Sequence, residues 1–161
     1  SSVAQLRSLL TMDGAPSSLA DLMAALHGAL QPEEAHRKPY EDALQRWEGC
    51  AGYASALMHL YAAPPPQLAP AERLLAVLCL KNAINRRWHA RASDQDVIGD
   101  AEKDTIRAAL LDAVQEPERQ LAAQMEVIVA NIARLDGLAA WPALMPRLLE
   151  ECSKPAAADA G

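Results

Sequence analysis

Apolar residues recur along almost the whole chain at helical spacing, and prolines or glycines interrupt them at short intervals. A chain patterned this way is limited to short amphipathic helices laid side by side, since no segment shows the strict alternation of a half-buried strand. Leu19, Leu22, Met23, Leu26 and Leu30 make the first such stripe, with Ser18 and Asp21 offering an N-cap and a reciprocal acid. Pro32 with Glu33 and Glu34 marks a second start, and that helix should reach about Trp47 before Gly49 and Gly52 break it. Pro39 inside it predicts a kink, because proline removes a backbone hydrogen bond. The third helix covers Tyr53–Ala62, and Pro64, Pro65 and Pro66 end it. Pro70 and Glu72 open a fourth, with Leu74, Val77, Leu78, Lys81 and Ile84 on its stripe and its end near Trp88. Residues 92–99 are polar and read as a loop. Asp100 and Glu102 open a fifth helix, which presents Ile106, Leu110, Leu111 and Val114 on one face. Glu116, Pro117 and Glu118 stop it and start a sixth, with Leu121, Met125, Ile128 and Ile132, closed by Asp136 and Gly137. Residues 141–152 form a seventh.

Composition supports helix over sheet. The chain has 7 Gly, no Phe and a large excess of Ala and Leu, which lose little side-chain freedom in a helix. At 161 residues it is one domain long, and a domain of this size buries roughly 68–70% of its unfolded surface. The net charge of -6 argues against a nucleic-acid partner, which needs a basic footprint. The basic run from Arg86 to Arg91 is a phosphate-binding alternative, but a helix C-terminus also attracts such charges. Cys50, Cys79 and Cys152 form no CxxC pair, which suggests neither a disulfide framework nor a zinc cage and fits a reducing compartment. His27, His36, His59 and His89 are scattered without metal-ligand spacing, and no glycine-rich phosphate loop or nucleophile elbow is present. No cofactor, metal, membrane span or enzymatic activity is expected.

The spacing of the helices carries more than any one of them. The second, fourth and sixth end near Trp47, Trp88 and Arg134, a period of about 40–47 residues, which is the sign of HEAT or armadillo repeats. One helix pair cannot bury its own apolar face, so pairs stack into an α-solenoid. An ordinary globular helical bundle is the alternative that periodicity leaves open. The expected fold is all-α: about three helix pairs plus the first helix of a fourth over residues 18–152. Residues 1–17 then read as a flexible or extension segment and 153–161 as a disordered tail, with Met12 a plausible native start.

Four segments resemble one family in order along the chain. They are YEDALQRWEGCAGYASALMHLY from Tyr40, LAVLCLKNAINRRW from Leu75, EKDTIRAALLDAV from Glu102 and QLAAQMEVIVANIARLDGLAAWPALMPRLLE from Gln120. The family is that of the importin-β (karyopherin-β) nuclear transport receptors, at their N-terminal domain. Within it, the importin eleven type also carries a proline at the position of Pro39. Ala51 and Leu138 depart from the family pattern at two turns, and Glu126 stands where a small or apolar residue is usual.

The resemblance implies a HEAT-repeat receptor that shuttles between nucleus and cytoplasm. It further implies binding of the small GTPase Ran in its GTP form on the concave surface, formed by the second helix of each pair. Cargo and nucleoporins would engage repeats beyond this chain. Carried onto this sequence, the candidate Ran contacts are Lys81 and Asn82, then Asn85 and Arg86 one turn later, with Arg37, Tyr40 and Asn131 on the neighbouring inner helices. A structural role competes at each: Lys81 can snorkel from the core stripe and Asn82 can bond the next repeat. Trp47, Trp88, Arg134, Asp136, Trp141 and Pro142 are the family's structural motif positions. A general HEAT scaffold that never meets Ran is the competing function.

Overall fold

The structure is a computed structural model that describes residues 16–89 and 97–155. The expectations for residues 1–11, Met12, most of the 92–99 loop and the end of the tail lie outside the described residues. The helices are α1 (Leu19–Ala29), α2 (Glu34–Trp47), α3 (Tyr53–Ala62), α4 (Pro70–Arg87), α5 (Asp100–Ala113), α6 (Arg119–Asp136) and α7 (Leu144–Cys152). A 3₁₀ turn, Leu138–Ala140, precedes α7. Among the described residues there is no strand.

The helices pack as consecutive antiparallel pairs: α1 on α2, α3 on α4, α5 on α6. The pairs stack through α3 on α5 and α4 on α6, while the first pair meets the second chiefly where α1 crosses α4. Helix α7 continues the α3–α5 row, since Arg147 Nε donates to the Leu111 carbonyl at 3.2 Å and Trp141 and Leu144 are buried. This is a HEAT-type solenoid of three pairs and the first helix of a fourth. One continuous core runs through it, with Leu22, Trp47, Leu57, Ile84, Trp88 and Ile128 wholly buried. Each such side chain contributes about 1.5–3 kcal/mol of hydrophobic burial.

Local signals set most helix ends. The Ser18 hydroxyl accepts from the Asp21 N–H at 3.3 Å, though the Asp21 carboxylate takes its hydrogen bond from Ser17 rather than from the Ser18 backbone. Glu118 caps α6, accepting from the N–H groups of Gln120 at 3.0 Å and Leu121 at 2.8 Å. Helix α3 begins at Gly52, whose φ of 85° excludes most side chains, and it has no cap of its own. Glu102 supplies that cap from α5, accepting from Gly52 N–H at 3.1 Å and Ser55 N–H at 3.0 Å.

Pro39 lies inside α2, which runs as one helix from Glu34 to Trp47. Three expectations need correction. The last helix starts at Leu144 rather than Trp141, because the residue before Pro142 is pushed out of helical geometry and Trp141 sits at φ -130° and ψ 66°. The core face of α4 is Ala76, Val77, Leu80, Ala83 and Ile84, with Leu78 and Lys81 rotated to its edge. Leu19 and Leu30 are likewise exposed at the ends of the α1 stripe.

Candidate interaction surface on α2, α4 and α6

Helices α4 and α6 lie side by side, and two polar bridges cross between them. Lys81 Nζ donates to Gln124 Oε1 at 2.7 Å, and Asn131 Nδ2 donates to Asn85 Oδ1 at 2.8 Å. Asn82 stands on α4 between the two bridges, exposed, with no hydrogen bond or ion pair among the described residues. Val127, one turn before Asn131 on α6, is 43% exposed. The sequence reading missed both Gln124 and Val127. The advance signal for Gln124 is the repeat period, which pairs Lys81 with a residue 43 positions on as it pairs Asn85 with Asn131 46 positions on; Val127 has no such signal.

The other candidates are committed within the chain. Arg86 Nη1 pairs with Glu48 at 3.0 Å. Arg37 holds the α1–α2 turn, donating from Nη1 to the carbonyls of Gln31 at 3.3 Å and Pro32 at 3.4 Å and from Nε to Glu41 at 2.8 Å. Tyr40 is half-buried, its ring laid over the bare backbone of Gly28. Arg37 and Tyr40 thus fasten the first pair, and the structure groups Lys81, Asn82, Asn85 and Asn131 as one surface apart from them.

The motif positions divide as well. Trp47, Trp88 and Trp141 are buried, whereas Arg134 and Pro142 are exposed. The Trp88 indole donates to Asp136 Oδ1 at 2.8 Å, and Arg107 donates to Asp136 Oδ2 from Nη2 at 2.5 Å. The Arg107 guanidinium also lies over the Trp88 ring, 5.3 Å from its centroid, with Lys103 at 5.5 Å. Glu126 is exposed at the lip of an apolar cleft formed by Val114, Met125, Val129 and Leu148, so its carboxylate stays in water.

Comparison with known proteins identifies this arrangement. A model of the importin-beta N-terminal domain matches residues 40–116, from within α2 to just past α5. Importin-11 of Homo sapiens is 35% identical over 129 residues, 80% of this chain and 13% of that protein. The chain carries an importin-β N-terminal domain. The importin beta-like protein KAP120 of Saccharomyces cerevisiae is 32% identical over 131 residues, 80% of the chain and 12% of the relative. Exportin-2 of Homo sapiens is 25% identical over 138 residues, 86% of the chain and 14% of the relative. The chain therefore spans about an eighth of the length of these relatives.

Within this importin-β N-terminal domain, buried carboxylates hold the second and third pairs together. Burial alone raises the pKa of Asp136, but hydrogen bonds from Arg107 and Trp88 and the Arg107 charge outweigh it and hold that pKa below the ordinary aspartate value. Burial likewise raises Glu116, and hydrogen bonds from Tyr61 and the Glu118 N–H, together with Arg73, bring it below the ordinary glutamate value. The Tyr61 hydroxyl donates to Glu116 at 2.6 Å and Arg73 Nη2 at 3.2 Å, while the Arg73 guanidinium covers the Tyr61 ring at 4.7 Å. Burial also pushes the Cys79 thiol up to about 11, leaving it an unreactive core group beside Tyr53.

Both carboxylates are depressed in the folded state, so the stability they add is present above their unfolded pKa values and is lost as pH falls through the folded ones. Thermal melts should therefore show a midpoint that is flat near neutrality and drops on acidification below about pH 4. The Asp136→Asn variant should begin lower at neutral pH and lose less on acidification.

Proposed function

We propose that this segment is the Ran-binding part of a nuclear transport receptor that moves between cytoplasm and nucleus, gripping Ran in its GTP form. The family match over residues 40–116 carries the reading. The surface that fits it is the α4–α6 face, where Asn82 and Val127 are uncommitted and the bridges Lys81–Gln124 and Asn85–Asn131 fix the helices around them. A wide helical face suits a globular protein partner better than a small molecule. Discrimination between nucleotide states would come from contact with the switch segments, which the γ-phosphate orders and hydrolysis releases. Cargo and nucleoporins would bind repeats of the longer receptor. This is a binding role, with no catalytic step.

Titration with Ran loaded with a non-hydrolysable GTP analogue tests the placement. Asn82→Ala should weaken binding about 5–30-fold, as expected for 1–2 kcal/mol lost at an interface, and Val127→Glu should abolish it by placing a charge in the contact. Wild-type affinity in both variants, with unchanged melting, would move the site elsewhere. The rival scaffold reading draws on one observation: Arg37 and Arg86 are occupied within the chain.

A further inference from the structure

The cations of α4 are not all treated alike. Arg73 meets Glu116 at 3.2 Å, and Arg86 and Arg87 meet Glu48 at 3.0 and 3.7 Å. Lys81 is the one cation of this helix whose partner, among the described residues, is neutral. Its Nζ donates to Oε1 of Gln124 on α6 at 2.7 Å. On α2, by contrast, Lys38 has Asp42 at 2.7 Å and Arg37 has Glu41 at 2.8 Å.

An amide and a carboxylate do different things to an ammonium. A carboxylate cancels its charge. The Gln124 oxygen takes one of its three N–H donors, fixes a long side chain between α4 and α6, and leaves the positive charge whole. Lys81 is already half-buried, on the face that also carries the exposed Asn82 and Val127. A globular partner laid on this face strips the remaining water from the ammonium. Desolvating a charge without a counter-ion is strongly unfavourable, so a partner must bring an anion to this point or be kept off it. The surroundings choose the anion. Asn85 stands one turn further along α4; its Oδ1 is taken by Asn131, and its Nδ2 still has two protons to give. One ammonium and a neutral amide donor balance the single charge of a carboxylate. A phosphate monoester, with about 1.5 to 2 charges, calls for a second cation beside the first.

We infer that Lys81 is the counter-charge for a carboxylate of the protein partner, and that Gln124 is the positioning residue that presents it. This point of the α4–α6 face thereby selects a partner with an acidic side chain at the matching place. The inference rests on reading this face as the Ran contact, and adds to that reading the chemistry of one subsite.

Titration with Ran carrying a non-hydrolysable GTP analogue, at low and at high salt, tests it on the 161-residue chain and two variants. Gln124→Glu gives Lys81 the carboxylate within the chain that it lacks. That variant should melt no lower than wild type, yet bind at least about tenfold more weakly. A bridge with a structural role alone would survive this change, and binding with it. Lys81→Gln should weaken binding to a similar degree and flatten its dependence on salt. Wild-type affinity and salt dependence in both variants, beside a wild-type chain that does bind the GTP form, would overturn the inference and leave the Ran reading standing. A folded wild-type chain that does not bind the GTP form would overturn both.

Discussion

Replacing Asp136 with alanine is expected to lower the stability of the domain by ~3–5 kcal/mol, because truncating one side of a buried charge pair leaves the other uncompensated. The geometry says which groups suffer. Arg107 loses both its Nε and Nη2 acceptors, the wholly buried Trp88 indole loses its acceptor, and His89 loses a carboxylate at 3.2 Å. All belong to the second or third helix pair, so the damage falls on the junction that holds α4, α5 and α6 together. A domain of this length should then melt at least about 6–10 °C lower. Trp88→Phe should cost less, because the indole donor goes but Arg107 still satisfies the carboxylate. A double-mutant cycle between the two positions checks the coupling. A midpoint within a degree or two of wild type in Asp136→Ala would contradict the role given to this contact.

Gly28→Ala is the second large effect, and its sign is the informative part. Alanine in place of glycine within a helix ordinarily stabilises by roughly 0.5–1 kcal/mol. Here a Cβ at position 28 would lie 2.2 Å from Cγ and Cδ2 of the Tyr40 ring. Those atoms are the base of an aromatic side chain anchored on α2, so the ring cannot swing aside without parting α1 from α2. Overpacking of this kind costs about 1–3 kcal/mol or more. Urea unfolding should show the variant destabilised, and adding Tyr40→Ala should recover much of the loss. A stabilised Gly28→Ala would mean that the two helices do not approach this closely.

The seven helices were legible in the sequence because each carries its own evidence, a 3.6-residue apolar period bounded by prolines, acids or glycines. The pairing into repeats was legible from the recurrence of Trp47, Trp88 and Arg134. Errors came where one residue's conformation is set by its successor, as at Trp141 before Pro142, or where solvent takes the ends of a stripe, as at Leu19 and Leu30. Side-chain roles were far less legible. Arg37 and Tyr40 read as surface contacts, yet they serve the α1–α2 turn, because nothing local announces a carbonyl six residues back or a bare glycine on the adjacent helix. Glu102 capping α3 across 50 residues is equally invisible to a local pattern. One signal was available: Lys81–Gln124, Arg73–Glu116, His27–Glu72, Asn85–Asn131 and Trp88–Asp136 are separated by 43, 43, 45, 46 and 48 residues, the repeat length itself. Complementary polar residues one repeat apart are the candidates for contacts between stacked pairs.

The central claim is that this importin-β N-terminal domain recognises Ran by its nucleotide state. Calorimetric titration of the 161-residue chain with Ran carrying a non-hydrolysable GTP analogue, beside Ran carrying GDP, tests it most directly. A switch-reading surface must bind the two states differently, and only that difference can shift an equilibrium. The account predicts clear binding to the GTP form, at least about tenfold tighter than to the GDP form, a gap of roughly 1.4 kcal/mol. Equal affinity for both forms, or no heat of binding from a sample shown by circular dichroism to be folded and helical, would contradict it.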